Sequence, residues 1–206
     1  MRGVLRIYKA DINDAADGIF MKSGVKYMKI WQLNFELDEY DNLIPVEAFS
    51  VREIQSFDGR SHLKEWKSIP VKRMEPERNL ELSDAPGFII PVFSKTALKY
   101  LKPLIEPNVE ILPLEFEEKE YYGINVITVV DGIDYEKSIY KTFRDGKRIL
   151  AFKKYSFLPN KIEGIPIFKI PDERTRYCFV SDEFKDRVEI NKLTGFKFKL
   201  VWDSNE

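Results

Sequence analysis

Alternation of apolar and polar residues is the feature of this sequence that most restricts its fold. Trp31, Leu33, Phe35 and Leu37 alternate with polar residues, and segment 196–202 repeats the pattern near the C-terminus. Successive side chains of a strand point to opposite faces, so a period of two places the apolar groups on one face of a β-strand. The pattern predicts a strand-rich fold.

A β-hairpin is predicted where segments 138–144 and 147–157 flank Asp145-Gly146. Asp-Gly readily adopts the positive φ angles that a tight hairpin turn requires. The remaining predicted strands are 4–9, 88–93, 109–116, 122–130, 165–170 and 176–180.

Two helices are predicted, each after a serine that can cap the first turn. Ser94 begins a helix that runs to about residue 102, where Pro103 is expected to end it. Ser181 begins the second helix, which Gly195 is expected to stop.

Segments 91–114 and 178–202 share the order strand, serine-capped helix, strand. Within them Ser94 corresponds to Ser181, and Leu101 corresponds to Val188. Either an internal duplication or chance similarity explains this correspondence.

A chain of 206 residues that is 44% hydrophobic is long enough to bury a substantial core. We predict a single compact α+β domain over residues 1–206, with a mainly antiparallel sheet and a few short helices. Segment 74–86 is the most loop-like stretch. It suggests a subdivision into a strand-rich portion, 1–82, and an α+β portion, 83–206.

Charge and cysteine content limit the classes of partner that the protein can bind and the cellular compartment in which we expect it. The 33 basic and 34 acidic side chains are finely mixed, so no basic stripe for nucleic acid is predicted. A single cysteine excludes an intramolecular disulfide and suits a reducing compartment. The N-terminus lacks the apolar core of a signal peptide, and no apolar run approaches the ~20 residues of a membrane helix. These features predict a cytoplasmic protein with no membrane partner.

Catalytic and metal chemistry finds little support in the sequence. Asp58 and Ser61 lie near His62, the only histidine, but sequence neighbours seldom point at a common centre. Cys178 lies in a predicted strand and is expected to fill a small apolar site. One histidine and one cysteine cannot form a structural zinc site, and Asp131–Asp134 is interpreted as a polar turn. We predict no catalytic, metal or cofactor site and no enzyme, although carboxylate chemistry stays open.

The acidic and aromatic stretch at 115–122 is the predicted partner-binding surface. Acidic groups speed encounter with a basic protein, and aromatic rings supply buried anchor area. A solvated hairpin turn flanked by core aromatics is the alternative interpretation. The predicted binding residues are Glu115, Glu117, Glu118, Glu120, Tyr121 and Tyr122.

The C-terminal part of the chain resembles a known family over roughly residues 66–202. The segments that carry the resemblance are short: 88–94, 109–114, 122–134, 167–170, 180–185 and 193–198, which ends in Gly-Phe-Lys-Phe. Together they resemble immunity-protein family eleven of bacterial polymorphic toxin systems, formerly a domain of unknown function.

The resemblance implies a cytoplasmic protein that binds and neutralises a cognate toxin by stoichiometric occlusion. It implies no catalytic residues and does not identify the toxin. Two alternatives stay open: a carboxylate-dependent enzyme, and a scaffold whose aromatic-rich strands form a homodimer or larger homo-oligomer.

Overall fold

The computed structural model describes residues 27–205, so the strand predicted at 4–9 lies outside the described residues. The strands are β1 (Lys29–Phe35), β2 (Leu43–Pro45), β3 (Ile69–Arg73), β4 (Val92–Ser94), β5 (Val109–Glu115), β6 (Tyr121–Val126), β7 (Ile139–Thr142), β8 (Ile149–Lys154), β9 (Ile167–Phe168), β10 (Phe179–Ser181) and β11 (Phe196–Asp203). The α-helices are α1 (Val51–Ser56), α2 (Lys95–Ile105), α3 (Pro159–Ile162) and α4 (Asp182–Ile190). Short 3₁₀ turns occur at Pro76–Arg78, Glu106–Asn108 and Pro171–Glu173.

The strands form three sheets. A four-stranded sheet has the order β11-β1-β10-β9, a five-stranded sheet has the order β2-β3-β5-β6-β4, and β7 pairs with β8. The strand pairs are antiparallel except for β3 with β5, which is parallel. The predicted α+β class, with mainly antiparallel sheets and a few short helices, is confirmed.

The two strands with the clearest alternation are neighbours in the four-stranded sheet. Leu33 of β1 lies opposite Phe198 of β11, and Trp31 lies opposite Val180 of β10. Strand β1 ends at Phe35. Leu37, predicted as the fourth apolar position of the strand, therefore lies beyond it and is 54% exposed.

The two predicted strand-helix-strand segments have the same topology. In β4-α2-β5 both strands pair antiparallel with β6, which lies between them. In β10-α4-β11 both strands pair antiparallel with β1, which lies between them. Leu101 and Val188 are both buried. The correspondence predicted from the sequence is therefore present in the fold, while its origin by duplication stays a prediction.

Both predicted helix caps are confirmed. The Ser94 side chain accepts a hydrogen bond from the Ala97 amide at 3.0 Å, and the Ser181 side chain accepts one from the Phe184 amide at 3.4 Å. Each bond satisfies one of the amide groups that a helix leaves unpaired at its N-terminus.

Both predicted helix ends are wrong. Helix α2 continues through Pro103 to the fully buried Ile105, because burial of its apolar face compensates for the hydrogen bond that proline cannot donate. Helix α4 ends at Ile190, and Lys192 (φ 52°) takes the left-handed conformation that follows it. Gly195 has a positive φ of 84°, but it lies further along the loop before β11.

The predicted hairpin is confirmed as β7-β8, but its turn is longer than predicted. The Phe143 amide donates to the Arg148 carbonyl at 2.9 Å, which leaves four residues in the loop. Gly146 has a φ of 66°, whereas Asp145 keeps a negative φ and accepts hydrogen bonds from the Lys147 and Arg148 amides. The sequence signal located the turn but not its type.

Several predicted strands are shorter in the structure. Segment 88–93 contributes only its last residues to β4, because Pro91 has no amide hydrogen to donate to a ladder. Strand β6 ends at Val126, after which the amide of Ile127 bonds to the carbonyl of Asn108 instead of continuing the ladder.

The main core lies where α2 and α4 pack together and contact both of the larger sheets. Phe184 of α4 lies 6.3 Å from Phe93 and 6.2 Å from Phe196, between ring centroids. Leu33 of β1 belongs to the same cluster. A second cluster beside the β7-β8 hairpin is rich in stacked and edge-on aromatic rings: Tyr155, Phe157, Phe168, Phe179 and Trp202. The subdivision near residue 82 stays a prediction.

Candidate functional surfaces

The stretch predicted to bind a partner, here called the acidic turn (residues 115–122), connects β5 to β6. Strand pairing brings Pro113 opposite Tyr122, so the residues between them form the end of a hairpin. Glu115, Glu117, Glu118 and Glu120 are all exposed. The structure therefore places the four carboxylates in one turn at the end of two interior strands of the five-stranded sheet.

Two of these carboxylates are paired with cations. Glu118 accepts two hydrogen bonds from the Arg73 guanidinium, at 2.8 and 2.6 Å, which lower the pKa of the Glu118 carboxyl. The Nζ of Lys95 lies 2.7 Å from a Glu120 oxygen and lowers the pKa of Glu120 by hydrogen bonding. The Lys95–Glu120 pair lies largely in solvent, so its contribution to stability is small, whereas the Arg73 side chain is only 22% exposed.

Tyr121 does not belong to this surface. Its side chain is 1% exposed and its hydroxyl donates to the Ser83 carbonyl at 2.8 Å. Burial raises the pKa of Tyr121 above its ordinary value. The interpretation of Tyr121 as a partner anchor is wrong, because β6 alternation points it into the protein. Tyr122, on the opposite face, is half-buried.

Glu115 and Glu117 are the carboxylates of the acidic turn that have no cationic partner within residues 27–205. The sequence could not distinguish them from Glu118 and Glu120, because the pairing residue Arg73 comes from β3, far along the chain. Glu115 and Glu117 are therefore the acidic groups most available to a partner.

The residues around His62 do not converge on a catalytic centre. The His62 Nε2 lies 3.0 Å from the Ser56 carbonyl, and its ring lies 4.7 Å from that of Phe57. The Ser61 hydroxyl donates to Glu110, and Asp58 is paired with Arg60 at 2.8 Å. Each group thus has a partner other than the one a triad would require.

Glu110 is a buried acid that the sequence analysis missed. Its carboxylate also accepts hydrogen bonds from the His62 amide at 2.7 Å and the Asn125 side chain at 3.0 Å. Burial opposes ionisation of Glu110, but these hydrogen bonds outweigh it and lower its pKa. The cluster fixes the loop around His62 onto β5 and β6, which is a structural role.

Cys178 is buried in the main core, as expected for a small apolar site. Burial raises the pKa of its thiol to about 11. Nearby Lys169 is also buried, and its Nζ donates to the Phe57 carbonyl. Burial lowers the pKa of this lysine. A thiol with a raised pKa is a poor nucleophile.

A metal site would need several ligands on one side of a cavity. The part of the chain that the structure describes contains no group of three or more His, Cys, Asp or Glu side chains that could hold a metal ion. Asp134 lies in a turn and pairs with Lys137 at 3.2 Å.

The hairpin formed by β7 and β8, here called the basic hairpin (residues 139–154), is a second surface feature. Every side chain from Ile139 to Arg148 is exposed. The sequence pattern predicts the hairpin, but its lysines and arginines do not stand out there, because the net charge of the whole chain is close to zero. Strand pairing gathers them on one projecting element.

The resemblance predicted from the sequence can be tested by comparison with known protein families. Residues 112–203 match the model of an immunity protein family, Imm11. The resemblance predicted from the sequence is thereby confirmed over this segment. The Imm11 segment contains the whole acidic turn and the whole basic hairpin, whereas β1, β4 and α2 lie before it.

A comparison with curated proteins gives no match. Of the helices between residues 27 and 205, none has the length and apolar character needed to cross a membrane. The Imm11 match is therefore the observation that bears on function.

Proposed function

We propose that the protein is an immunity protein that binds a cognate bacterial toxin and neutralises it by one-to-one occlusion in the cytoplasm of the producing cell. The observation that carries the proposal is the Imm11 match over residues 112–203. An occluding protein needs a stable scaffold and a complementary surface. The cores around α2 and α4 supply the scaffold, and the exposed charged elements supply candidate surfaces.

The environment of the acids also supports binding over carboxylate catalysis. A groove of about 560 Å³ beside β1 is lined mainly by apolar side chains, and its one carboxylate, Glu75, is paired with Arg78. A second cavity is lined by three acids, Asp182, Glu183 and Asp186. Asp182 accepts hydrogen bonds from the Trp31 indole at 2.8 Å and the Lys29 amide at 3.0 Å, and Glu183 pairs with Arg187 at 3.1 Å. Asp182 therefore links the start of α4 to β1, and Glu75 and Glu183 each have an arginine partner.

Neutralisation is tested by first sequencing the genes adjacent to the one that encodes this chain; a large neighbour with a variable C-terminal domain supplies the toxin candidate. We expect co-expression of the present chain to restore growth to cells that produce this domain. The purified pair should elute as a one-to-one complex in size-exclusion chromatography with light scattering. Cells that stay arrested, together with separate elution of the two proteins, would contradict the proposal.

Within this proposal, the acidic turn contacts the toxin through four exposed carboxylates, Glu115, Glu117, Glu118 and Glu120, and through the half-buried Tyr122. Glu115 and Glu117 contribute most to steering, since Glu118 and Glu120 already have cationic partners. Charge at the rim of an interface acts mainly on the rate of association.

We expect E115K/E117K to slow association with the toxin domain roughly tenfold at low salt, with a smaller difference at high salt because ions screen the charges. The matched control is E47K/E65K, which makes the same charge change at exposed glutamates that have no ion pair with another described residue. Stopped-flow or surface-plasmon-resonance rates measure the effect. Equal rates for both variants would exclude the acidic turn from the interface without affecting the neutralisation proposal.

A further inference from the structure

We propose that the basic hairpin is the element of this protein that binds an acidic surface of the cognate toxin. This inference rests on the proposed function and specifies the chemistry of the partner.

The hairpin concentrates positive charge in a chain that is almost neutral. Residues 139–154 carry six basic side chains and one acidic side chain, a net charge of +5, whereas the whole chain carries −1. The acid, Asp145, is paired with Arg148 at 2.7 Å. Five cations have no carboxylate partner among the described residues: Lys141, Arg144, Lys147, Lys153 and Lys154.

Apolar side chains are exposed among these cations. Ile139 is 54% exposed, Leu150 is 39% exposed and Phe143 is 37% exposed. The Arg148 guanidinium lies over the Phe143 ring, 4.9 Å from its centroid. Apolar anchors surrounded by charged groups are typical of the central and rim regions of a protein interface.

The root of the hairpin is held firmly, although its outer part projects into solvent. Phe152 stacks on Tyr155 with ring centroids 4.8 Å apart, and Tyr140 packs edge-on against Phe152 at 5.7 Å. The Arg176 guanidinium donates to the Leu150 carbonyl at 2.9 Å. A rooted hairpin loses less conformational entropy on binding than a flexible loop would.

The edge of β7 that faces away from β8 is open, whereas in β8 the Leu150 carbonyl already accepts a hydrogen bond from Arg176. Among the described strands, β7 pairs only with β8. A two-stranded sheet is marginally stable in water without further packing, and the free edge of β7 can accept a partner strand. Charge repulsion among the lysines opposes unspecific edge pairing, so an acidic partner would be favoured over a neutral one.

An acidic protein fits these features better than a nucleic acid or a second copy does. Ile139 and Leu150 need apolar contacts that a phosphate backbone does not offer, and the rest of the chain carries a net charge of −6, which repels nucleic acid. Self-association through the acidic turn is disfavoured, because Arg73 and Lys95 already neutralise two of its carboxylates.

The test compares K141E/R144E/K147E with K64E/K67E/K99E, a control that reverses the same number of exposed lysine or arginine charges away from the hairpin. The probe is the domain encoded at the C-terminus of the neighbouring toxin-like gene. We expect the hairpin variant to bind it about 100-fold more weakly at low salt, while the control stays close to wild type. A second variant, I139S/F143S, should mainly accelerate dissociation. Thermal unfolding of each variant checks that the fold is retained.

The outcomes separate the two proposals. If the wild-type chain binds and protects, and the folded hairpin variants bind equally well, the hairpin inference is overturned and neutralisation stands. If the wild-type chain neither binds nor protects, the proposed function fails and the hairpin inference fails with it. Wild-type binding to a DNA duplex, or dimerisation in light scattering, that the hairpin variant abolishes would also overturn the choice of an acidic toxin face.

Discussion

Replacing Phe184 with alanine is expected to lower the free energy of unfolding by about 3–5 kcal/mol. The side chain is fully buried on α4, and the rings of Phe93, Phe196 and Phe198 surround it at centroid distances of 6.2–6.3 Å. Its removal leaves a cavity where α4 meets strands of both larger sheets, and rigid aromatic neighbours cannot collapse to fill it. The total free energy of unfolding of a native protein is only roughly 5–15 kcal/mol, so this loss is a large part of it.

Urea unfolding monitored by circular dichroism measures the change. Ile190→Ala is the matched control, since Ile190 ends the same helix and is 79% exposed. We expect the control to change stability by no more than about 0.5 kcal/mol. Comparable losses in the two variants would show that α4 does not dock through Phe184 as the structure describes.

Replacing Gly195 with alanine is expected to lower the free energy of unfolding by about 3 kcal/mol or more, because two unfavourable effects add. A φ of 84° is unfavourable for a residue with a side chain. The new Cβ would also lie 2.6 Å from the Ser83 Cβ and 2.8 Å from the Ala85 carbonyl oxygen, both closer than van der Waals contact allows.

The loop beside Gly195 cannot move away easily. Asp84 accepts hydrogen bonds from the amide and hydroxyl of Thr194, at 3.1 and 3.3 Å, and the Ala85 amide donates to the Thr194 carbonyl at 3.1 Å. These bonds fix the two chain segments at the distance that only glycine permits.

Gly146→Ala isolates the backbone contribution. Gly146 has a φ of 66°, but no heavy atom of another part of the protein lies within 4 Å of its ideal Cβ position. We expect the free energy of unfolding of this variant to fall by about 1 kcal/mol, because of backbone strain alone. If urea midpoints show the same loss for both glycines, the close approach of residues 83–85 to Gly195 is not a constraint on the fold.

Local patterns predicted those parts of the fold whose causes are local. The alternation in β1 and β11 reflects half-buried strands, and Ser94 and Ser181 cap helices through bonds only three residues long. A capping box at Ser50 and Glu53, which begins α1, was present in the sequence and was missed. Its helix is short and buries no side chain, so it carries little apolar periodicity.

Contacts between distant segments were not predictable in this way. Ion pairing divides the acidic turn into paired and available carboxylates, because Arg73 reaches Glu118 from a strand of a different hairpin. The inward orientation of Tyr121 depends on the register of β6 against β4 and β5. The basic residues of the hairpin can be read from the sequence. The exposure of their side chains, however, depends on how the hairpin packs against the aromatic cluster.

The central position of β1 has a consequence for dissecting the protein. Residues 29–35 lie far upstream of the Imm11 segment, yet they form the strand between β10 and β11. A fragment trimmed to residues 112–203 would keep β10 and β11 but lack β1, which pairs with both, so the backbone groups of β10 and β11 that face β1 would be unpaired. During folding, β1 must therefore pair with strands that lie more than 140 residues further along the chain. Pairing between such distant segments is slow, so we expect this protein to fold more slowly than proteins with mainly local contacts. An intact chain is needed to complete the sheet.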